Sequence, residues 1–301
     1  MSNRAILRLV QKKITKHRDL DLEYSGLLGK ETWTIKEYIV EPDYLVLQRL
    51  DQPDAFKGVD KRIRLAPLPW RPYCRWHDGP LWQKDEPWKR LYCVVQTDSY
   101  CRQHKRSIRA LYELCISTHS HNSLEICKKI DSMGRTNYVV YLTDAGAGRV
   151  KVGVTREFRF YERLAEQAHN IATILHVVDS LYEARKLEIQ ISKKNLASQV
   201  KSRRPKKVYL PKVAALISNA AERISKTVGI DWSGELVRVV SSKQRVVLEM
   251  PEAKPENIAG KTFTITGYWG GHLILEDEGA GRILHISDRR LLHTDSLLLD
   301  Y

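Results

Sequence analysis

The sequence predicts an α+β protein of several domains, and three observations point there. Strand-like alternation recurs toward both ends of the chain, in short runs at residues 32–35, 44–47 and 63–65 and again at 236–240, 245–249, 262–266 and 272–276. A β-β-α-β-α succession occupies residues 137–196. Between them lies a stretch dense in Cys, His and Trp, residues 71–131. With 301 residues, 43% hydrophobic and 29% charged, the chain can bury cores without disulfide staples, which excludes collagen-like, low-complexity and mostly disordered classes. No apolar run approaches the roughly 20 residues of a membrane-spanning helix. Residues 1–18 lack the apolar core and cleavage site of a signal peptide. Five Cys are too few for a secreted disulfide framework. A cytoplasmic protein in a reducing compartment, with no membrane partner, is the expectation.

Fifty Lys and Arg against 36 Asp and Glu leave a net charge of +14, which favours a polyanionic partner if the cations are clustered. Taken in order, residues 1–20 form a basic arm. Arg4, Arg8, Lys12, Lys13, Lys16 and Arg18 are interleaved with Ile6, Leu7, Leu9, Val10 and Ile14 at near-helical spacing, an amphipathic helix that either contacts RNA or packs one face on the protein. Residues 21–70 read as a β-rich module and 71–131 as a metal-binding region. Residues 132–200 form an α/β core. In 201–228 a basic linker precedes a helix over 213–227, whose Ala214, Leu216, Ile217, Ala220, Ala221 and Ile224 make an apolar stripe. The linker carries Lys201, Arg203, Arg204, Lys206 and Lys207, is broken by Pro205 and Pro211, and suits either a solvated tether or an extended track for a phosphate backbone. Residues 229–301 resemble a second, barrel-like β-module.

Within the metal-binding region, Cys74-Arg75-Trp76-His77 and Cys101-Arg102-Gln103-His104 repeat one Cys-x-x-His spacing. Two such knuckles present four ligands of the kind structural zinc takes, so Cys74, His77, Cys101 and His104 are the predicted set, with Cys93 as a substitute. Cys115, His119, His121 and Cys127 are a second candidate set. The alternative is that these Cys are small buried hydrophobes.

In the core, residues 138–143 and 149–155 form a hairpin around the Gly-rich turn 144–148. A helix over 160–174, a strand over 175–178 and a helix over 180–194 follow, with Ser180 as N-cap of the last. Glu188 borders that helix's apolar face beside Ala184, Leu187 and Ile191. At Val140-Tyr141-Leu142-Thr143, Lys151-Val152-Gly153, Arg163-Leu164 and Leu187-Glu188 the chain resembles the GIY-YIG nuclease-like superfamily, over about one fifth of its length. It also looks like an uncharacterised prokaryotic family that joins such a core to upstream Cys-rich knuckles and a β-module. The resemblance implies that Tyr141 stands at the tyrosine of the first half-motif and that Lys151 replaces the tyrosine of the second. It further implies that Arg163 is the helix arginine, Glu188 the carboxylate for Mg²⁺ or Mn²⁺, and His169 an approximate fifth member. A phenol or amine beside an attacking water, an arginine on the developing charge and one metal-holding carboxylate suit phosphodiester cleavage. The alternative keeps the fold for binding, with Glu188 paired to Arg163 as a buried ion pair. Together these readings predict an intracellular protein that binds nucleic acid, structured RNA or the ribosome first, with a divalent-metal endonuclease as the rival.

Overall fold

The computed structural model describes residues 3–26, 29–52, 55–58, 60–84, 93–95, 99–117, 121–144, 146, 148–199 and 208–299. In chain order the strands and helices begin with β1 (Arg4–Gly26), β2 (Gly29–Arg49), β3 (Ala55–Gly58), β4 (Arg62–Leu65), α1 (Ile108–Ser117) and α2 (His121–Asp131). The core follows as β5 (Tyr138–Asp144), β6 (Val150–Arg156), α3 (Phe160–Ala165), β7 (Ala172–Val178), α4 (Leu181–Lys193) and α5 (Leu210–Val228). The chain closes with β8 (Leu236–Val240), α6 (Gln244–Glu249), α7 (Pro255–Ile258), β9 (Thr262–Trp269), β10 (His272–Asp277), β11 (Ile283–Ser287) and β12 (Leu297–Leu298).

Two compact units emerge. The first gathers Met1–Lys13, Val40–Leu111 and Ser241–Tyr301; the second gathers Ile14–Ile39 and Tyr112–Val240. Neither is a contiguous stretch, so the linear boundaries at 20, 70, 131, 200 and 228 do not coincide with them. In the first unit, strands order as β11-β10-β9-β4-β12 followed by the start of β1, all antiparallel. Burial alternates along β4 and β9, so Ile63 and Leu65 face the interior with Phe263 and Ile265 while their neighbours face outward.

In the second unit the order is β2-β8-β7-β5-β6. β2 pairs parallel to β8 through Ile35↔Leu236, and β7-β5-β6 is antiparallel. All seven residues of β5 are buried, and α4 and α5 both pack against it. That coverage on both faces explains an unbroken apolar run. α5 presents Val213, Ala214, Ile217, Ala221 and Ile224, and ends at Gly229, whose left-handed φ of 73° closes the helix. α4 starts where its sequence predicts: Ser180 Oγ accepts from the Glu183 amide, and Asp131 accepts from the amides of Leu181 and Tyr182.

Several elements differ from the sequence reading. The arm is not a helix but the opening of β1. Ala5, Ile6, Leu7, Arg8 and Val10 are all buried, and a strand covered on both faces lacks the alternation that would have separated it from a helix. The runs at 32–35 and 44–47 belong to one strand, β2. Residues 244–249 form a helix, α6, rather than a strand, and bury only Val247. α3 stops at Ala165 because the chain must turn into β7. The Asp144 carboxylate fixes that turn, accepting from the backbone amides of Asn170 and Ile171 and from Asn170 Nδ2 at 2.6, 2.9 and 2.7 Å. The large sheets and packed helices fit a mixed α/β class compatible with α+β.

Candidate functional site

Four side chains of the first unit converge on one point. The ligand atoms of Cys74, Cys93, Cys101 and His104 all lie within 4.8 Å of one another. The three sulfurs stand 3.8, 3.4 and 3.2 Å from His104 Nδ1, in the order Cys74, Cys93, Cys101. Tetrahedral zinc with ligands at 2.0–2.3 Å holds its donors roughly 3.3–3.8 Å apart, so the spacing fits, and Cys₃His is a composition of structural zinc sites. Local backbone explains the convergence. The Cys74 amide donates to the Cys93 carbonyl at 2.8 Å beside the Tyr73–Val94 bridge. A tight turn lets the His104 amide donate to the Cys101 carbonyl at 3.0 Å, and the Cys101 amide donates to Cys74 Sγ. Trp76 stacks on the His104 ring at 4.0 Å with 3° between planes. Burial pushes the Cys101 thiol up, but the His104 amide and the Cys93 sulfur outweigh it, and the net direction is down, toward the thiolate a metal needs. Buried Arg8 donates to the carbonyls of Cys74 and Trp76, and buried Arg109 donates to that of His77, so the loop's carbonyls are held from two sides.

His77 is not in this set. Its Nδ1 lies 3.1 Å from the Asp78 carbonyl, and Cys93 supplies the fourth donor because the backbone pairing sets it beside Cys74. The second predicted set does not form either: Cys115 and Cys127 are joined as a disulfide between α1 and α2, which consumes both thiols. His119 lies outside the described residues, and His121 opens α2. The disulfide also removes the argument for a reducing compartment drawn from cysteine count.

A second cluster forms in the core of the second unit. Tyr141 on β5 pairs across the sheet with Gly153 on β6, and a Cβ on Gly153 would sit 2.7 Å from the tyrosine Cζ and hydroxyl. Only glycine lets the ring lie over the strand. The hydroxyl reaches Gln167. With the Gln167 oxygen turned toward Arg163, as the guanidinium donors require, it accepts from Nε and Nη2 at 2.9 Å while the amide nitrogen donates to the Tyr141 hydroxyl at 3.3 Å. Arg163 also pairs with Glu166 at 3.1 Å. Burial pulls this guanidinium down, yet Tyr141 and Glu166 more than offset it, so it stays charged. Burial pushes the Tyr141 phenol up. Glu188 does not pair with Arg163 but with Arg185, one turn earlier on α4, both almost fully buried. Burial pushes the Glu188 carboxyl up, against the pull of Arg185. Lys151 feels this cluster too: burial first, then the Arg163 cation, lower its ammonium to about 8, with Glu188 opposing. Among the described residues its ammonium has no hydrogen-bond partner.

Tyr141, Lys151, Arg163 and Glu188 thus lie within electrostatic reach of one another, and His169 is engaged elsewhere. His169 Nδ1 faces the Gln167 carbonyl at 2.8 Å and Nε2 accepts from the Val239 amide at 3.3 Å, a neutral ring fastening the turn to β8, with burial pushing its pKa down. The sequence reading missed Gly153 as the tyrosine's platform, Gln167 as the bridge and Arg185 as the carboxylate's partner. The i, i+3 spacing of Arg185 and Glu188 was the available signal for the last.

Five of the arm's six cations have a partner within the protein. Arg4 pairs with Asp295 at 3.1 Å and donates to the carbonyls of Pro67 and Pro69; Arg8 is 2% exposed. Lys12 lies 4.6 Å over the Tyr268 ring, Lys16 pairs with Asp19 and Arg18 with Glu37. Lys13 alone of the six is exposed and without a partner among the described residues. Arg8 is thus turned to internal acceptors in a segment buried on both faces, whereas Lys13, Lys16 and Arg18 stay at the surface. Lys201, Arg203, Arg204, Lys206 and Lys207 lie outside the described residues.

No curated protein and no solved structure matches the chain. Residues 92–285, more than half of its length, match the family DUF2797, described as a protein of unknown function. That span holds Cys93, Cys101 and His104 of the metal centre and the whole Tyr141 cluster, and on its strength the chain belongs to the DUF2797 family.

Proposed function

We propose that this chain is a nucleic-acid-binding protein for structured RNA, ribosomal RNA included, in which a GIY-YIG-like core serves as a binding scaffold. One observation carries the reading: Arg163 stands at the Tyr141 hydroxyl with the Lys151 cation within its electrostatic reach, while the neighbouring carboxylate, Glu188, is already committed to Arg185. With its pKa near 8, Lys151 is about nine-tenths protonated at pH 7. Phosphate oxygens suit such a pair, a lysine as point charge and an arginine as a fixed fork. The net charge of +14 agrees with it. Zinc held by Cys74, Cys93, Cys101 and His104 would supply folding energy to a loop-rich region rather than chemistry, since four protein ligands leave no open position.

The rival reading, a Mg²⁺- or Mn²⁺-dependent endonuclease, is favoured by the same assembly of Tyr141, Lys151, Arg163 and Glu188. It asks Glu188 to exchange a buried guanidinium for a metal ion. Incubating the full chain with labelled single- and double-stranded RNA and DNA in Mg²⁺ or Mn²⁺, beside Glu188→Ala, separates the two. Retention of RNA without cleavage is the expected result; cleavage that Glu188→Ala abolishes would replace the binding reading with the enzyme one.

A further inference from the structure

A cleft of about 570 Å³ opens in the second unit where the end of α4, the start of β6 and the middle of α5 meet. Arg149 and Arg223 line it with Ser192, Asn195, Ser198 and Asn219, and among the described residues no carboxylate lines it. Arg149, Asn195, Asn219 and Arg223 are all exposed. Arg223 donates only to the Leu196 carbonyl at 3.4 Å, and the Arg149 guanidinium, Asn195 and Asn219 side chains have no partner among the described residues. In a chain that neutralises so many of its cations internally, two arginines facing one concavity without an acid are unusual. Donors without acceptors, in a concave surface that focuses positive potential, match an oxyanion with several acceptor oxygens. The cleft is distinct from the Tyr141 cluster: none of Tyr141, Lys151, Arg163, Gln167 and Glu188 lines it. The volume falls within the range of small-ligand sites.

We infer that this cleft binds phosphate groups, Arg149 and Arg223 gripping the oxyanion and Asn195, Asn219 and Ser192 completing its hydrogen bonds. The site does not depend on the RNA-binding reading, because a phosphodiester strand and a free phosphorylated small molecule present the same oxygens. The sequence that follows, with five cations between Lys201 and Lys207, favours the strand as the source.

Calorimetric titration of the full chain with inorganic pyrophosphate tests it, comparing wild type with Arg149→Glu/Arg223→Glu and with Arg289→Glu, an exposed arginine of the first unit. Pyrophosphate uptake at the cleft is expected, weakened at least about tenfold by the double reversal and unchanged by Arg289→Glu. No pyrophosphate uptake by the wild type, or equal weakening in Arg289→Glu, would overturn the inference. Should the double reversal fail to fold, Asn195→Asp/Asn219→Asp places carboxylates in the same cleft and must weaken uptake likewise. A parallel titration with short single-stranded RNA identifies the source: joint loss of RNA and pyrophosphate in the double reversal assigns a strand, and loss of pyrophosphate alone assigns a small molecule. A wild type that takes pyrophosphate but no RNA would sink the RNA-binding reading and leave this site standing.

Discussion

Tyr141 and Gly153 show how a single side chain depends on the absence of another. The ring lies where a Cβ on Gly153 would be 2.7 Å from it, and the tyrosine is 1% exposed, so it cannot swing away. Gly153→Ala therefore sets two effects against each other: the usual gain of roughly 0.5–1 kcal/mol for replacing a strand glycine, and an overpacking cost of about 1–3 kcal/mol. The clash should win, lowering the urea midpoint, and Tyr141→Leu in the same chain should recover most of the loss. A midpoint raised by Gly153→Ala alone would show that the ring is not fixed. Lys151 gives a pH signature. Its folded value near 8 lies below the ordinary 10.5, so between those values the unfolded chain binds the extra proton and stability rises with pH. Urea midpoints of wild type measured relative to Lys151→Met should climb across about pH 8 to 10 and be level below; a flat difference would mean the ammonium is fully solvated. At this scale the sequence was informative where chemistry is local. The resemblance singled out Tyr141, Lys151, Arg163 and Glu188, which lie near one another in the fold, whereas Gln167 and Gly153 acquire meaning only from strand register, which one chain read alone does not disclose.

Elements were legible where periodicity was clean. The hairpin, α4 with its Ser180 cap and α5 with its apolar stripe lie close to where alternation, capping chemistry and helical spacing put them. β1 was not, because residues buried on both faces carry no period, and α6 was not, because a short valine-rich run satisfies strand and helix patterns alike. The metal centre was read correctly as a region and wrongly in one ligand. Cys-x-x-His spacing singles out His77, but the pairing of the Cys74 amide with the Cys93 carbonyl brings a third sulfur to the point instead. Metal analysis distinguishes the two assignments: purified protein should carry about one equivalent of zinc, Cys93→Ser should lower it sharply and His77→Ala should not. Less than about half an equivalent in the wild type, with thiols kept reduced, would contradict a structural site.

Over the whole molecule, charge proved a weaker guide than chemistry. The +14 is real, yet Arg4, Arg8, Lys12, Lys16 and Arg18 are engaged by carboxylates, carbonyls or an aromatic ring, so a count of cations along the arm overstates the charge left for a partner. The two units interleave segments distant in the chain, which is why composition shifts at residues 20, 70 and 228 did not reveal them. The two readings rest on two pairs of cations of the second unit, Lys151 and Arg163 in the core cluster and Arg149 and Arg223 in the cleft. The most direct test of RNA binding by the core is fluorescence anisotropy of labelled structured RNA against the full chain and Lys151→Met/Arg163→Met, across roughly 50–200 mM salt. Log-linear weakening with salt in the wild type, with lower affinity and a shallower slope in the double variant, is the predicted result. Equal affinity and slope in both proteins, or no binding at the lowest salt, would contradict it.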